Sequence, residues 1–138
     1  MAKLSLCADY SQLATIRDFV VQTAHELGLD SATIYDLQLA VDEACTNVVR
    51  HAYGGEGGRI ELEIEGTGEG VRVTVCDWGQ PFDTENIPEP DVMAPLEQRP
   101  LGGLGLFLMR QTMDQVQFDF DSEKGNRLTM LKRIQWRT

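Results

Sequence analysis

The sequence predicts an α+β domain with helices on one face of a mixed, largely antiparallel sheet. Three observations carry that reading. Two apolar stripes at helical spacing stand early in the chain. Runs that alternate apolar and charged residues come in turn-linked pairs. Helix runs and strand runs are partly segregated, in the order βααββ, a long irregular stretch, then αββ. The 138 residues match one ordinary domain, residues 1–138, long enough to bury a core without disulfide or metal staples. With 42% apolar and 25% charged residues the composition is that of a globular chain.

Residues 2–8 alternate weakly and predict a short strand. Asp9 or Ser11 can cap the helix after it. In that helix Leu13, Ile16, Val20, Ala24 and Leu27 recur every three or four residues, an amphipathic stripe that ends at Gly28. Asp30-Ser31 opens a second helix, with Ile34, Leu37, Ala40, Val41, Ala44, Cys45, Val48 and Ala52 as its apolar set and Gly54-Gly55 as its stop. Ile60, Leu62 and Ile64 alternate with charges, as do Val71, Val73 and Val75, and the Gly66–Gly70 joint makes the two runs a hairpin. Residues 77–101 hold all five prolines, and a stretch of about 25 irregular residues in a small domain reads as a lid, at about 83–102. Leu104 to Met113 predicts a third helix. Gln115–Asp121 and Leu128–Ile134 predict two more strands joined at the Lys124-Gly125-Asn126 turn signal.

Several function classes are excluded. Twenty-two acids against 12 bases give a formal charge of −10, which argues against a nucleic-acid binder. Residues 36–97 concentrate that charge, with 14 acids against three bases. Such a surface still admits a nucleotide, provided a divalent metal and backbone N–H groups meet the phosphates, and it suits a basic protein partner. No apolar run approaches the ~20 residues of a membrane span, and the first residues lack a secretory apolar stretch. The expected location is therefore cytoplasmic, with no membrane partner. Three cysteines without CxxC spacing and two histidines give neither a disulfide framework nor a histidine-rich metal site. There is no GxxxxGK[ST] phosphate loop and no GxSxG elbow.

Three segments remain. On the second helix Glu43, Asn47 and His51 succeed each other at i, i+4 and i+8 and form one stripe, with Arg50 at its edge. Such a stripe is usually a solvated face. Here Asn is a poor helix former and its neighbours Ala44, Cys45 and Thr46 are small, so a base and a metal ligand one turn apart is the competing reading. The hairpin's second strand runs into Asp77-Trp78-Gly79-Gln80-Pro81-Phe82, an Asp-x-Gly that is often only a turn. Gly102-Gly103-Leu104-Gly105 precedes the third helix and is either a flexible hinge or a place where phosphate oxygens reach backbone N–H groups at a positive helix end.

Taken in order, Glu-x-x-x-Asn on a helix, Asp-x-Gly-x-Pro-Phe after a strand and Gly-Gly-x-Gly-Leu at a helix start resemble the GHKL ATP-binding superfamily, across nearly all of the chain. That resemblance implies the Bergerat-type two-layer sandwich. The wording of Asp42–Tyr53 and of Gly103–Asp114 is similar to the stand-alone anti-sigma factor serine kinases, the RsbW-like bacterial family. The resemblance implies an ATP-dependent protein-serine/threonine kinase that phosphorylates a small STAS-domain antagonist and also binds a sigma factor, with ATP and Mg²⁺ as cofactors and a possible homodimer. By the same resemblance Glu43 is the general base, Asn47 the Mg²⁺ ligand, and Asp77 the acceptor of the adenine amino group with Gly79 beside it. Phe82, Gly102, Gly103, Leu104 and Gly105 stand at the nucleotide, Thr129 on its adenine side, and Arg50 where a phosphate-contacting base can occur. An ATP-binding switch module that regulates a partner without phosphotransfer is the alternative.

Overall fold

The computed structural model describes residues 1–54, 57–80, 103–121 and 124–136. The first strand, β1 (Ala2–Cys7), leads through a short 3₁₀ turn into α1 (Leu13–Glu26). Helix α1 buries Leu13, Ile16, Val20, Thr23 and Ala24. It stops where the stripe predicts: Gly28 adopts φ 77°, and the Gly28 and Leu29 N–H groups donate to the carbonyls of His25 and Ala24 at 3.0 and 3.1 Å. This paired bonding satisfies carbonyls that the helix end would orphan. Helix α2 (Ser31–Asn47) begins at Asp30, whose carboxylate accepts the Thr33 N–H at 2.8 Å.

Beyond Asn47 the chain departs from the expected α-helix. Val48–Ala52 is a π-helical turn, closed by a Tyr53 N–H to Val48 carbonyl bond of 3.2 Å. Strands β2 (Arg59–Gly66) and β3 (Gly70–Asp77) form the predicted hairpin. Helix α3 (Gly103–Thr112) precedes β4 (Gln115–Asp121) and β5 (Gly125–Arg133). The strand order is β1-β2-β3-β5-β4. Among the described residues every pairing is antiparallel. Strands β3 and β4 do run the same way, but β5 lies between them, so no parallel ladder forms there.

Alternation decides what each face of this sheet does. Ile60, Leu62, Ile64, Val71, Val73, Val75, Leu128 and Met130 point inward and are buried. They meet Ile16 and Val20 of α1, Leu37, Val41 and Ala44 of α2, and Leu106 and Met109 of α3 in one core. Glu61, Glu63, Glu65, Arg72, Thr74 and Thr129 line a groove on the opposite face. The predicted two-layer arrangement is therefore present. The expected lid at about 83–102 lies outside the described residues. Among the described residues no helix is long and apolar enough to cross a membrane.

Candidate active site

Helix α2 lies on the sheet through small buried residues, Ala40, Ala44 and Cys45. Burial pushes the Cys45 thiol up to about 12, so it is a packing group and not a nucleophile. The next turn brings Glu43, half-buried, and Asn47, only 5% exposed. The Asn47 Nδ2 is buried and has no hydrogen-bond partner among the described residues. An unpaired buried amide costs about 1–3 kcal/mol, a cost that a ligand at this position removes.

Helix α3 closes the other side. A Cβ at Gly105 would stand 2.9 Å from Glu43 Oε2, and 3.2 and 3.4 Å from Asn47 Nδ2 and Oδ1. Glycine thus leaves a cradle bounded by α3 backbone, a carboxylate and an amide. Gly105→Ala is expected to keep or slightly raise stability, because alanine favours a helix over glycine by about 1 kcal/mol and the Glu43 tip can swing away. The same methyl occupies the cradle, so nucleotide affinity should fall about tenfold or more, by analogy with the cost of small misplacements. Thermal melts and calorimetry on one preparation check both halves; a variant that binds as the wild type does removes the cradle from the site.

Glu43 titrates above the ordinary carboxylate range. Burial is the main cause, repulsion from Asp42 adds to it, and Arg50 opposes both. Arg17 of α1 grips Asp42 through two nitrogens at 2.9 and 3.2 Å, which holds that neighbouring charge aside. His51 is held toward its neutral form by burial and by Arg50.

Asp77 is the next inward position after Val71, Val73 and Val75, which explains its burial to 7% exposure. Its Oδ1 accepts the Gly79 N–H at 2.9 Å and the Asn126 Nδ2 at 2.8 Å. Asn126 Nδ2 also donates to the Gly79 carbonyl at 3.0 Å. Burial raises the Asp77 pKa and these two donors pull it back. Gly79 packs flat on the end of the π turn: a Cβ there would overlap the Ala52 carbonyl, which accepts the Gln80 N–H at 2.7 Å. Tyr53 donates its hydroxyl to the Arg59 carbonyl at 2.7 Å and accepts the Trp78 N–H at 2.8 Å, fixing the same corner. A pocket between sheet and helices joins the two halves, lined by Ala44, Asn47, Asp77, Met109 and Asn126, with Phe118 and Phe120 stacked at 5.9 Å.

The structure thus brings Glu43, Asn47 and Gly105 together, and places Asp77 in the same pocket as Asn47 with Gly79 against it. Arg50 is exposed at the rim. Gly103 opens α3 and Leu104 comes next in its first turn. Phe82 and Gly102 lie outside the described residues. Thr129 requires a correction. It pairs with Thr74 and lines the outer groove with Glu61, Glu63 and Arg127. Inward positions on β5 are Asn126, Leu128 and Met130, so the odd-numbered Thr129 faces away from Asp77. Asn126 is the site residue that sequence reasoning misses. In the sequence it is turn punctuation, yet it lies directly across from Asp77 in the β3–β5 register.

Among the described residues no group of three or more His, Cys, Asp or Glu could hold a metal. The Asn47 amide oxygen at the cradle would hold Mg²⁺, an ion that takes few protein oxygens and completes its shell with phosphates and waters.

The chain matches the histidine kinase-like ATPase domain family over residues 6–132. It is 34% identical over 137 residues to a serine-protein kinase RsbW of Bacillus cereus, covering 96% of this chain and 83% of that protein. The same figures hold for a serine-protein kinase RsbW of Bacillus thuringiensis subsp. konkukian. A solved structure of RsbU and RsbW domains from Mycobacterium tuberculosis superposes with a TM-score of 0.64 at 21% identity, over 96% of this chain. The chain spans 32% of that longer structure, a likeness of fold. On the family match over residues 6–132 and the 34% identity to these kinases, the chain belongs to the histidine kinase-like ATPase domain family and, within it, to the RsbW serine-protein kinases.

Proposed function

We propose that this chain binds ATP with Mg²⁺ and transfers the γ-phosphoryl group to a serine of a small STAS-type antagonist protein, with a sigma factor as its second partner. The observation that carries the proposal is the cradle itself: a half-buried carboxylate and an unpartnered buried amide one turn apart, beneath the bare backbone of Gly105.

In this reading Asp77 receives the adenine amino group and the Asn47 amide oxygen holds the ion. Mg²⁺, when bound, neutralises charge on the phosphates and fixes their orientation. The α3 N-terminus, Gly103 to Gly105, offers N–H groups and a positive dipole end to the phosphate oxygens. Glu43 orients the seryl hydroxyl and takes its proton as the oxygen bonds to phosphorus and ADP leaves. Its surroundings raise its pKa, the direction that strengthens a base.

The test is incubation of the purified chain with labelled ATP and purified STAS-domain candidates, then mapping of the modified residue. Acid-stable label on one serine is the expected result. Acid-labile label, or free phosphate alone across all candidates, overturns the kinase reading and leaves an ATP-dependent binding module.

A further inference from the structure

We propose that Lys132 is a positioning residue for the phosphate end of the site: it pins the last turn of α3 to α2 and so holds Gly105 over Glu43 and Asn47. The inference rests on the nucleotide reading above and adds to it a residue far from the cradle. Lys132 occupies an inward position of β5, continuing Asn126, Leu128 and Met130, and β5 is central, between β3 and β4. The Lys132 Nζ donates to Asp36 Oδ2 on α2 at 3.0 Å and to the Thr112 carbonyl, in the last turn of α3, at 2.7 Å. The pair is partly buried, with side-chain exposures of 21% and 33%.

Two neighbouring bonds tighten the same corner. The Asp114 N–H donates to the Leu131 carbonyl at 2.8 Å, and Asp114 Oδ2 accepts the Arg133 N–H at 2.7 Å. One ammonium thus ties together the two helices whose other ends form the cradle. Asp36 stands seven residues before Glu43, two turns along the same helix face, and Thr112 stands seven residues after Gly105. Seven helical residues are a lever of about 10 Å, so a tilt of about 6° at the pin moves Gly105 by about 1 Å. A shift of that size at a reacting centre can cost about 10²-fold. Asp36 is a third exposed, so its carboxylate can turn to water when an apolar side chain replaces the lysine, and the loss of stability should be modest. The geometry therefore points to placement rather than cohesion.

The experiment compares wild type, Lys132→Met and Lys132→Arg by calorimetry with ATP and with adenosine, and by amide hydrogen exchange along α3 without nucleotide. The adenine end is held by β3 and β5, the phosphate end by α3. Lys132→Met is expected to lose about tenfold in ATP affinity, a fraction of the 1 Å cost, to keep its adenosine affinity, and to exchange faster in α3. Lys132→Arg should recover most of the ATP affinity. Unchanged ATP affinity in the Met variant, or equal losses for ATP and adenosine, overturns the proposal. If Lys132→Met does not fold, Asp36→Asn, which leaves the bond to Thr112 in place, should show the same pattern at about threefold; no selective loss of ATP there overturns it equally. A wild-type chain that binds no ATP strikes the nucleotide reading and the pin with it, whereas a binding wild type with indifferent variants strikes the pin alone.

Discussion

Glu43→Gln is expected to leave ATP affinity within a few-fold of wild type and to lower phosphoryl transfer by about 10²–10⁴-fold, the usual worth of a general base. The amide keeps the shape of the side chain beside Gly105 and removes only its ability to take a proton. The pH dependence gives an independent check. The working form is the carboxylate, and burial with the Asp42 charge raises its pKa. The acid limb of the rate profile should therefore lie above the ordinary carboxylate range, with activity lost as pH falls through the raised value. Asp42→Asn removes a repulsive charge, so it should move that limb to lower pH. Arg50→Gln removes an attractive one and should move it to higher pH. Initial rates of acid-stable labelling between pH 4 and 8 measure all of this. Transfer by Glu43→Gln at near wild-type rate would show that the proton goes elsewhere.

Much of this site is legible in the sequence because it depends on short-range periodicity. A four-residue step puts Glu43 and Asn47 on one helix stripe whatever the tertiary fold, and the alternation of Val71, Val73 and Val75 carries Asp77 to the inner face. The cradle is partly legible: three glycines before a helix announce open backbone, but only the packing of α3 on α2 shows which side chains Gly105 uncovers. The parity of β5 is also readable, since Leu128 and Met130 mark the inward positions and exclude Thr129 from them. Family resemblance points to Thr129 and parity against it, and the structure sides with parity. Parity turns Asn126 inward as well, but not onto Asp77: that comes from the β3–β5 register, a pairing of residues 49 apart. The π turn at Val48–Ala52 is invisible to spacing, because over five residues a 3.6-residue and a wider period predict almost the same apolar positions. Its result is visible in the structure: Val49 and Ala52 stay buried, Arg50 faces out, and the Ala52 carbonyl is available to Gln80.

Asp77→Asn is expected to cost about 10²-fold or more in ATP affinity while folding stability stays level or rises. The affinity figure comes from losing a hydrogen bond to a charged group, worth about 1.5–3 kcal/mol, and leaving a donor facing a donor. Both protein donors converge on Oδ1, so an asparagine can keep its oxygen on Gly79 and Asn126 and turn its Nδ2 toward the pocket. The local fold then has no reason to change. The sign of the stability effect is set by the raised pKa. A carboxyl that binds its proton more tightly folded than unfolded costs stability while it is ionised, and that cost fades as pH falls through the folded pKa. Asparagine carries no such cost, so its advantage should be present at neutral pH and vanish in acid. The substitution should also alter base preference: an acceptor suits the adenine amino group, whereas a donor suits the guanine carbonyl, so the ATP-to-GTP affinity ratio should fall. Calorimetry with both nucleotides, beside thermal melts at neutral and acidic pH, reads all three effects. Unchanged ATP affinity removes Asp77 from the adenine site; loss of affinity together with loss of stability would make Asp77 a structural residue whose pocket collapses without it.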